Sequence, residues 1–401
     1  MSRKQFLALL VALIVLAGAA AGVFLSDRSA WKRDDARIGE KLLPTLKAAD
    51  VAEIHVRSER EEVHVLKGSS GWRVRERGDF PADENAVSSM LLKLIDLKVI
   101  QTETLADTQR SRLLLLEPKG TAAGTPAAAK APAESGAKSD AKSEAAGTVM
   151  ELKDGSGKTL GRLLLGKTLM KPSDNSGDSD IPAGRYVLAG ESAGSITVVA
   201  DPLKDADPNP AFWLDKDVIR ADSVKTVTAT GPDGKQRWAL GRPKDGDLMS
   251  FVGSSDKPDP QKGQDTISAF YGVTLIDVVT DGAKADTGLD KPVAVSAQSF
   301  DGVTYLLKIG AKAGDDRYYL AVSSSGEPSK VREAAKGESA EDKVKKDKEF
   351  EEQYKKRLER RARDKQMEKW AYIVPKTAVA PILRDRLELM PDKKPEAPAK
   401  R

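Results

Sequence analysis

Residues 51–74 have the sequence VAEIHVRSEREEVHVLKGSSGWRV, which contains three short runs of alternating apolar and polar residues. The runs are residues 51–56, 63–66 and 71–74, and turn-forming residues separate them. Alternation with a period of two puts apolar and polar side chains on opposite faces of a β-strand. Short strands separated by turns are typical of a meander. The stretch therefore predicts antiparallel strands.

A helix is predicted directly after this meander. Pro81-Ala82-Asp83 precedes apolar residues that recur at helical spacing. Asp83 is a suitable N-cap, because its carboxylate can accept hydrogen bonds from the first amide groups of a helix. The apolar residues of the predicted helix are Val87, Met90, Leu91, Leu94 and Ile95. Residues 97–100 then predict a short strand.

The second half of the chain repeats this order of signals, which indicates an internal repeat. Residues 224–227 alternate and lead through the turn 231–234 to residues 237–240. A second helix is predicted after Asp265, with residues 276–279 as the strand that follows. The apolar residues of this second helix are Ile267, Phe270, Tyr271, Thr274 and Leu275.

The parallel between the two halves continues to their ends. Asp154-Gly155 and Asp301-Gly302 both lie between alternating runs, where Asp-Gly is a strong hairpin signal. Each half closes with a strand and a short helix, at residues 196–199 and 213–216 in one and at 372–374 and 383–386 in the other. We therefore predict an α+β fold: two tandem, divergent copies of a mostly antiparallel β-meander module with one packed helix each, behind an N-terminal transmembrane helix.

The predicted organisation has five parts. They are a membrane anchor at residues 1–26, a linker at 27–50, a first α+β repeat at 51–213, a second at 214–390 and a disordered tail at 391–401. Residues 119–147 interrupt the first repeat and contain no large apolar side chain. A segment of this composition cannot bury a core, so we predict a flexible insertion there.

A second insertion, residues 327–369, has the composition of an exposed helix. Of its 43 residues 27 are charged, and Glu351 with Lys355 is one of several favourable i,i+4 pairs. Phe350, Tyr354 and Leu358 form an apolar stripe one residue wide, which is too narrow for a buried core helix. We expect the helix to project from a hairpin tip and to offer this stripe to a partner. The alternative is a solvated helix without a partner.

Residues 6–25 form a run of 20 residues without a charge, long enough to cross the hydrocarbon core of a bilayer. A cleaved signal peptide is the alternative, since residues 17–21 are small. We favour an uncleaved anchor because the apolar run continues through residues 23–25. Basic residues are more numerous after the run than before it, against the positive-inside rule, but long following domains are exported largely regardless of charge. We expect the bulk of the chain on the extracytoplasmic side of a bacterial inner membrane.

Composition excludes several classes of protein. The chain has 401 residues with 65 Lys and Arg against 61 Asp and Glu, a balance that argues against nucleic-acid binding. It has no Cys, which removes disulfides and thiolate metal sites, and only two His. No glycine-rich phosphate loop is present. We therefore assign no catalytic, cofactor-binding or metal-ligating residue from the sequence, and we expect a protein that is not an enzyme.

The two histidines, His55 and His64, lie on the polar phase of adjacent predicted strands. A turn centred at residues 59 and 60 would place them opposite each other. Such a pair could bind a metal or sense pH. We favour solvent-facing pair residues, because the sequence shows no Asp or Cys to complete a metal site.

Three further groups of residues were weighed as sites. Residues 174–180 are rich in oxygen ligands but lack EF-hand spacing, which favours a polar turn over a calcium loop. Asp154, Asp215 and Asp217 would be the acids of a glycosidase, although Asp at the ends of elements is ordinarily a cap or turn residue. Aromatic residues on the strands are core by default and a sugar-binding platform in the minority case; they are Trp72, Trp238, Tyr186, Tyr318 and Tyr319.

The order of these motifs resembles the bacterial family called domain of unknown function 4340. The resemblance rests on an N-terminal anchor, strand pairs ending near a Trp, the helix start Pro81-Ala82-Asp83 and a Leu-Asp-x-Pro step at residues 289–292. The segments 213–216 and 383–386 fit as well. Because such proteins are often encoded beside ABC transporters of the gliding-motility kind, the resemblance implies an accessory role in an envelope transport complex. It supplies no catalytic residues.

These observations lead to one functional expectation and one alternative. We expect a non-enzymatic extracytoplasmic scaffold associated with an ABC-type transporter complex, with permease or ATPase subunits as partners. The alternative is an envelope hydrolase or glycan-binding protein that uses strand-borne aromatic residues and carboxylates.

Overall fold

A computed structural model of the chain describes residues 32–33, 38–104, 107–119, 146–172, 179–190, 196–280, 286–332 and 337–392. The predicted anchor at residues 6–25, most of the insertion at 119–147 and most of the tail lie outside the described residues. Within the described part of the chain, no helix has both the length and the apolar character needed to cross a bilayer. The chain divides into two compact units, the first ending at Leu214 and the second beginning at Asp215.

The first unit is built on one sheet of ten antiparallel strands. In chain order they are β1 (Lys32–Arg33), β2 (Glu53–Arg57), β3 (Glu62–Gly68), β4 (Gly71–Val74), β5 (Phe80–Pro81), β6 (Val99–Thr104), β7 (Thr148–Lys153), β8 (Thr159–Lys171), β9 (Ile181–Ala189) and β10 (Ile196–Val199). Across the sheet the order is β1-β6-β10-β9-β8-β7-β2-β3-β4-β5. The meander predicted from residues 51–74 is confirmed as β2, β3 and β4.

One helix packs against this sheet, as predicted, where it contacts β4. Helix α1 (Glu84–Ile95) begins after Asp83, whose side chain accepts hydrogen bonds from the amide groups of Asn85 and Ala86. The helix buries Val87, Met90, Leu91 and Leu94. The short helix α2 (Asp107–Arg110) follows β6. A 3₁₀ turn, Pro210–Trp213, closes the unit, and the Trp213 carbonyl accepts the backbone amide of Asp83.

The second unit contains a sheet of eight antiparallel strands. They are β11 (Val224–Thr230), β12 (Gln236–Gly241), β13 (Ser250–Phe251), β14 (Asp277–Val278), β15 (Val293–Ser299), β16 (Thr304–Lys312), β17 (Arg317–Ser325) and β18 (Ala371–Pro375). Their order across the sheet is β13-β12-β11-β15-β16-β17-β18-β14. The helices of this unit are α3 (Pro260–Ser268), α4 (Ala340–Met367) and α5 (Lys376–Leu383). Two mostly antiparallel sheets with packed helices confirm the predicted α+β class.

The helix predicted after Asp265 is in the wrong place. Helix α3 begins at Pro260, earlier in the chain, because Asp259 caps it and Pro260 occupies its first position. Phe270 and Leu275 are buried as expected, but the chain has left the helix before it reaches them. Their helical spacing reflects packing of an irregular segment onto the core rather than a continuous helix.

The expectation that the charged insertion projects is wrong for its carboxy-terminal half. In the sequence, helix α4 comes between β17 and β18, which pair with each other in the sheet. Its residues 340–349 are all exposed. Farther along the helix, Arg361, Asp364 and Met367 are buried. The helix therefore packs against its own unit at its carboxy-terminal end, whereas its exposed amino-terminal end contacts the unit through ion pairs of Asp347 and Lys346 with the preceding loop.

The cap of α1 gives a test of this fold. Replacing Asp83 with Ala should lower the free energy of unfolding by about 1 kcal/mol, because two amide groups at the start of the helix lose their acceptor. Chemical denaturation of the full-length protein measures the change. Asn85→Ala is the matched control, because the Asn85 side chain is exposed and the backbone amide of residue 85 still donates its hydrogen bond to Asp83. Equal stability of the two variants would contradict the capping role.

Candidate functional site

The polar face of the first sheet carries the two histidines of the chain as a stacked pair. His55 on β2 lies directly opposite His64 on β3, as predicted, and the ring centroids are 4.0 Å apart with the planes 10° from parallel. The favoured interpretation of a solvent-facing pair is wrong, because only 8% of His55 is exposed. The pair is an enclosed feature of the sheet.

Each imidazole has a glutamate partner. His55 Nε2 lies 2.7 Å from Glu62 Oε1, and His64 Nδ1 lies 2.7 Å from Glu76 Oε1. Glu76 Oε2 also accepts the His64 backbone amide at 2.9 Å. These glutamates supply the support that the sequence was expected to lack, since only Asp and Cys were looked for beside the histidines. Glu62 lies two residues before His64 on a predicted strand, and this spacing, which puts both side chains on one face, was the signal available for it. Glu76 has no such signal, because it comes from a 3₁₀ turn, Arg75–Arg77.

The row of charged groups continues across two more strands. Glu151 on β7 pairs in register with His55, and Arg162 on β8 pairs with Glu151. Arg162 Nε donates to Glu151 Oε1 at 3.0 Å, and its Nη2 donates to Glu117 Oε1 at 2.6 Å. The titratable side chains on β3, β2, β7 and β8 therefore form a continuous row across the sheet. The row is His64–His55–Glu151–Arg162, and each member contacts the next.

Burial and neighbouring charges shift the pKa values in this row. Burial and the adjacent His64 hold the pKa of His55 below its usual value, although Glu62 and Glu151 act in the opposite direction. Burial acts to raise the pKa of Glu76, but its hydrogen bonds with His64 lower that pKa overall. For Glu151 burial is likewise outweighed, chiefly by the hydrogen bond from Arg162, and its pKa is lowered. These directions favour a neutral His55 and ionised Glu76 and Glu151 at neutral pH.

The second unit has a cleft of about 250 Å³ beside helix α4. Its walls come from the strands and loops of the unit and from α4 itself. The charged residues that line the cleft are Arg220, Arg357, Arg360, Arg361, Asp222 and Asp301. Four arginines against two aspartates give the cleft an excess of positive charge.

The arginines of this cleft differ in how they are held. Arg360 Nη1 donates to Asp222 Oδ2 at 3.0 Å, and Arg220 Nε lies 3.4 Å from the other oxygen of Asp222. Arg361 donates to the Gly326 carbonyl at 3.0 Å and is buried. Within the described residues, Arg357 makes no ion pair, and its Nη2 has only a weak contact of 3.5 Å with Gln353 Oε1 on its own helix. Arg357 is thus the arginine most available to an added anion.

The predicted partner-binding stripe lies at the edge of this cleft. Phe350 lines the cleft, and its ring stacks on Tyr354 with centroids 6.4 Å apart. Leu358 is 38% exposed. The face of α4 that turns toward its own unit passes through residues 350, 354, 357, 361 and 364, so the helical period carries it away from Leu358.

A buried carboxyl lies behind the cleft. The Tyr305 hydroxyl donates to Asp364 Oδ2 at 3.0 Å, and only 1% of Asp364 is exposed. Its second oxygen, Oδ1, has no hydrogen-bond partner among the described residues. Burial raises the pKa of Asp364, against the opposing effects of Tyr305 and nearby arginines. Burial also raises the pKa of Tyr305.

Comparison with known proteins places the chain in a family. The family model described as "Domain of unknown function (DUF4340)" matches residues 72–292, more than half of the chain. The chain belongs to the DUF4340 family. No curated protein and no solved structure matches this DUF4340 member.

The remaining candidates of the DUF4340 chain have structural roles where they are described. Asp215 Oδ2 forms an ion pair with Arg363 Nη2 at 2.8 Å. The Asp154 side chain accepts hydrogen bonds from backbone amide groups of the β7–β8 turn. Trp72 and Trp238 are buried, and Trp238 Nε1 donates to the Arg384 carbonyl at 2.8 Å.

The other strand aromatics are half-buried: Tyr186 packs against a small apolar cluster, and Tyr318 and Tyr319 lie on β17. Residues 174–178, most of the possible calcium loop at 174–180, lie outside the described residues. Buried indole rings cannot stack on a sugar, so this geometry gives no support to a glycan platform at the two tryptophans.

Asp364 gives the DUF4340 protein a testable pH dependence. Its pKa is raised in the folded chain, so its stabilising contribution is complete below the ordinary value of 3.8 and is lost as the pH rises through the folded value. Asp364→Asn should therefore be more stable than the parent at pH 7, with a smaller loss of stability between pH 4 and 7. Denaturation at a series of pH values measures this, with the exposed Glu359→Gln as control. An unchanged pH profile in Asp364→Asn would refute the assignment.

Proposed function

We propose that this protein is a non-enzymatic accessory subunit of an ABC-type transporter complex, anchored in the inner membrane by residues 6–25 and extracytoplasmic in its bulk. The uncharged N-terminal run supports the anchor. The observation that carries the binding role is helix α4, whose exposed half runs into a cleft with an excess of arginine. The function proposed is to hold a partner in place, with permease or ATPase subunits as the partners.

The chemistry of the cleft favours an acidic partner segment. A guanidinium group binds a carboxylate through two parallel N–H donors, and Arg is enriched at sites of this kind. Arg357 lies in the cleft without a carboxylate partner among the described residues, next to the stacked rings of Phe350 and Tyr354. An acidic segment with an apolar or aromatic side chain would use both features, the charge for orientation and the rings for contact area.

We also propose that the two units are tandem divergent copies of one module. Two observations support this. The order β4-β3-β2-β7-β8-β9-β10-β6 in the first sheet corresponds strand by strand to β13-β12-β11-β15-β16-β17-β18-β14 in the second. In addition, the capping residues of α1 and α3 each donate a backbone amide to a late residue of their own unit, Asp83 to Trp213 and Asp259 to Leu389.

This correspondence identifies α4 as an addition to the module. Strands β9 and β10 of the first unit are separated by only residues 190–195, whereas α4 lies between the equivalent strands β17 and β18. A helix that the shared module does not require is a reasonable place for a function of its own. Deleting residues 327–369 is nevertheless a poor test, because it would remove the buried Arg361, Asp364 and Met367 from their packing.

Charge reversal at Arg357 is the sharper test. The full-length protein is purified in mild detergent from its own membranes, and mass spectrometry identifies what accompanies it. We expect permease or ATPase subunits in stoichiometric amounts, and at least a tenfold lower yield of them with Arg357→Glu. The change places a negative charge where an acidic segment is proposed to bind.

Lys356→Glu is the matched control for this experiment. It makes the same change of charge on the exposed side of the same helix, one residue away. Partner yield should stay within about twofold of the parent. Purification of the parent protein without transporter subunits would overturn the accessory role. An equal loss of partner yield in both variants would show that the cleft is not the binding surface.

A further inference from the structure

We propose that Glu53, His55 and His64 form a binding site for a divalent transition-metal ion of the Zn²⁺ class on the polar face of the first sheet. The site belongs to the first unit and the cleft to the second, and the proposal does not rest on the accessory role. Three observations carry it: the placement of these donors, the groups that hold them and one buried nitrogen without a partner among the described residues.

The three donors are brought together by strand pairing. One ligand atom from each of the three residues lies within 4.8 Å of the other two. Glu53 and His55 are two residues apart on β2 and so lie on the same face, and His64 faces His55 from β3. Two imidazoles and a carboxylate are a common zinc ligand set. The backbone positions of all three are fixed by the ladder of hydrogen bonds, so only side chains have to move.

The neighbouring glutamates determine which nitrogen of each ring carries the proton. An ionised carboxylate can only accept a hydrogen bond, so the ring nitrogen that contacts it must carry the proton. Glu62 therefore holds the proton of His55 on Nε2, and Glu76 holds that of His64 on Nδ1. The lone pairs are left on His55 Nδ1 and His64 Nε2. A carboxylate bonded to the far nitrogen of a histidine is the usual outer shell of a metal-ligating imidazole.

The lone-pair nitrogen of His55 is the second, independent observation. His55 Nδ1 is buried and has no hydrogen-bond partner among the described residues. A buried imidazole acceptor without a donor is unfavourable, and a metal ion would satisfy it. Glu151 Oε2 lies 3.6 Å from this nitrogen. Two ligands of a tetrahedral zinc ion lie about 3.3 Å apart for bonds of about 2.0–2.1 Å, so Glu151 has the spacing of a ligand relative to His55. It lies outside the group formed by Glu53, His55 and His64, and would complete the coordination only after its side chain moves.

Binding requires a small rearrangement of the rings. The two imidazole planes are nearly parallel, so their lone pairs do not point at one position until one ring turns about its Cβ–Cγ bond. Glu53 also has to share or release Lys153, whose Nζ lies 3.2 Å from Glu53 Oε1. The donor set selects the metal: imidazole with carboxylate suits zinc, copper and nickel, whereas magnesium and calcium prefer oxygen ligands alone.

Zinc binding to the full-length protein tests the proposal. The protein is purified in mild detergent without a polyhistidine tag, stripped with a chelator and dialysed against Zn²⁺. We expect one Zn²⁺ per chain. X-ray absorption at the zinc edge should show two imidazole ligands, which can come only from His55 and His64 because the chain has no other histidine.

Four substitutions define the site. His64→Gln should weaken zinc binding by at least about 100-fold, and Glu53→Gln by at least about tenfold. Glu62→Gln, which removes an outer-shell partner, should cost about 10- to 100-fold. Glu59→Gln is the matched control, since it removes a carboxylate from the β2–β3 turn without touching either ring, and its affinity should equal that of the parent.

The substitutions in the site are near-isosteric, and circular dichroism melting shows whether each variant is folded. Absence of saturable zinc binding to the parent protein would overturn the proposal and leave a histidine stack that serves the sheet alone. Binding with unchanged affinity in folded His64→Gln and Glu53→Gln, or zinc without imidazole ligands, would also overturn it. Co-purification of transporter subunits is not expected to change in any of these variants, so failure here is distinguishable from failure of the accessory role.

Discussion

The antiparallel register between β2 and β3 is the constraint on which the first unit depends. Ile54 and Val56 on β2, and Val63 and Val65 on β3, are fully buried on one face, which leaves His55 and His64 opposite each other on the other. A slip of one strand by one residue would exchange its two faces and expose its two buried apolar side chains, each worth about 1.5–3 kcal/mol of burial. The hydrophobic face therefore fixes the register, and the register fixes the histidine pair without any contribution from the histidines themselves.

Local signals in the sequence were sufficient for much of the fold. Alternation located the strands, Asp154-Gly155 marked the β7–β8 hairpin, and Asp83 was identified as the cap of α1 because its role depends only on residues beside it in the chain. The start of α3 has a local signal of the same kind, Asp259 at the cap and Pro260 at the first helical position, but the apolar spacing after Asp265 pointed to a later start. That spacing was misleading because the core selects buried positions, and a buried irregular segment can imitate a helix.

The candidate sites were less accessible to sequence reasoning, because their parts come from separate segments. Arithmetic on the turn placed His55 opposite His64, yet the pairing of β2 with β7, which brings Glu151 to His55, spans an insertion and carries no local signal. The same holds for the cleft, where Arg220 and Arg357 meet only through the folded sheet. On α4 the difference is finer. An apolar stripe at every fourth residue drifts across a helix of 3.6 residues per turn, so the packed face leaves the stripe after Tyr354.

The way α4 is attached bears on what it can do. Its packed half contributes only one fully apolar buried side chain, Met367, whereas Arg361 and Asp364 bury polar groups whose desolvation offsets much of what their hydrogen bonds return. Arg361 donates to the Ser324 side chain and carbonyl and to the Gly326 carbonyl. Directional hydrogen bonds, rather than a large apolar contact, therefore hold this half of the helix and fix its orientation. The exposed half is tied to the preceding loop by two ion pairs, Arg332 with Asp347 and Glu338 with Lys346. Phe350 and Arg357 lie between the exposed end of the helix and the buried Arg361, so an acidic segment can contact them while the hydrogen bonds of Arg361 hold the helix in place.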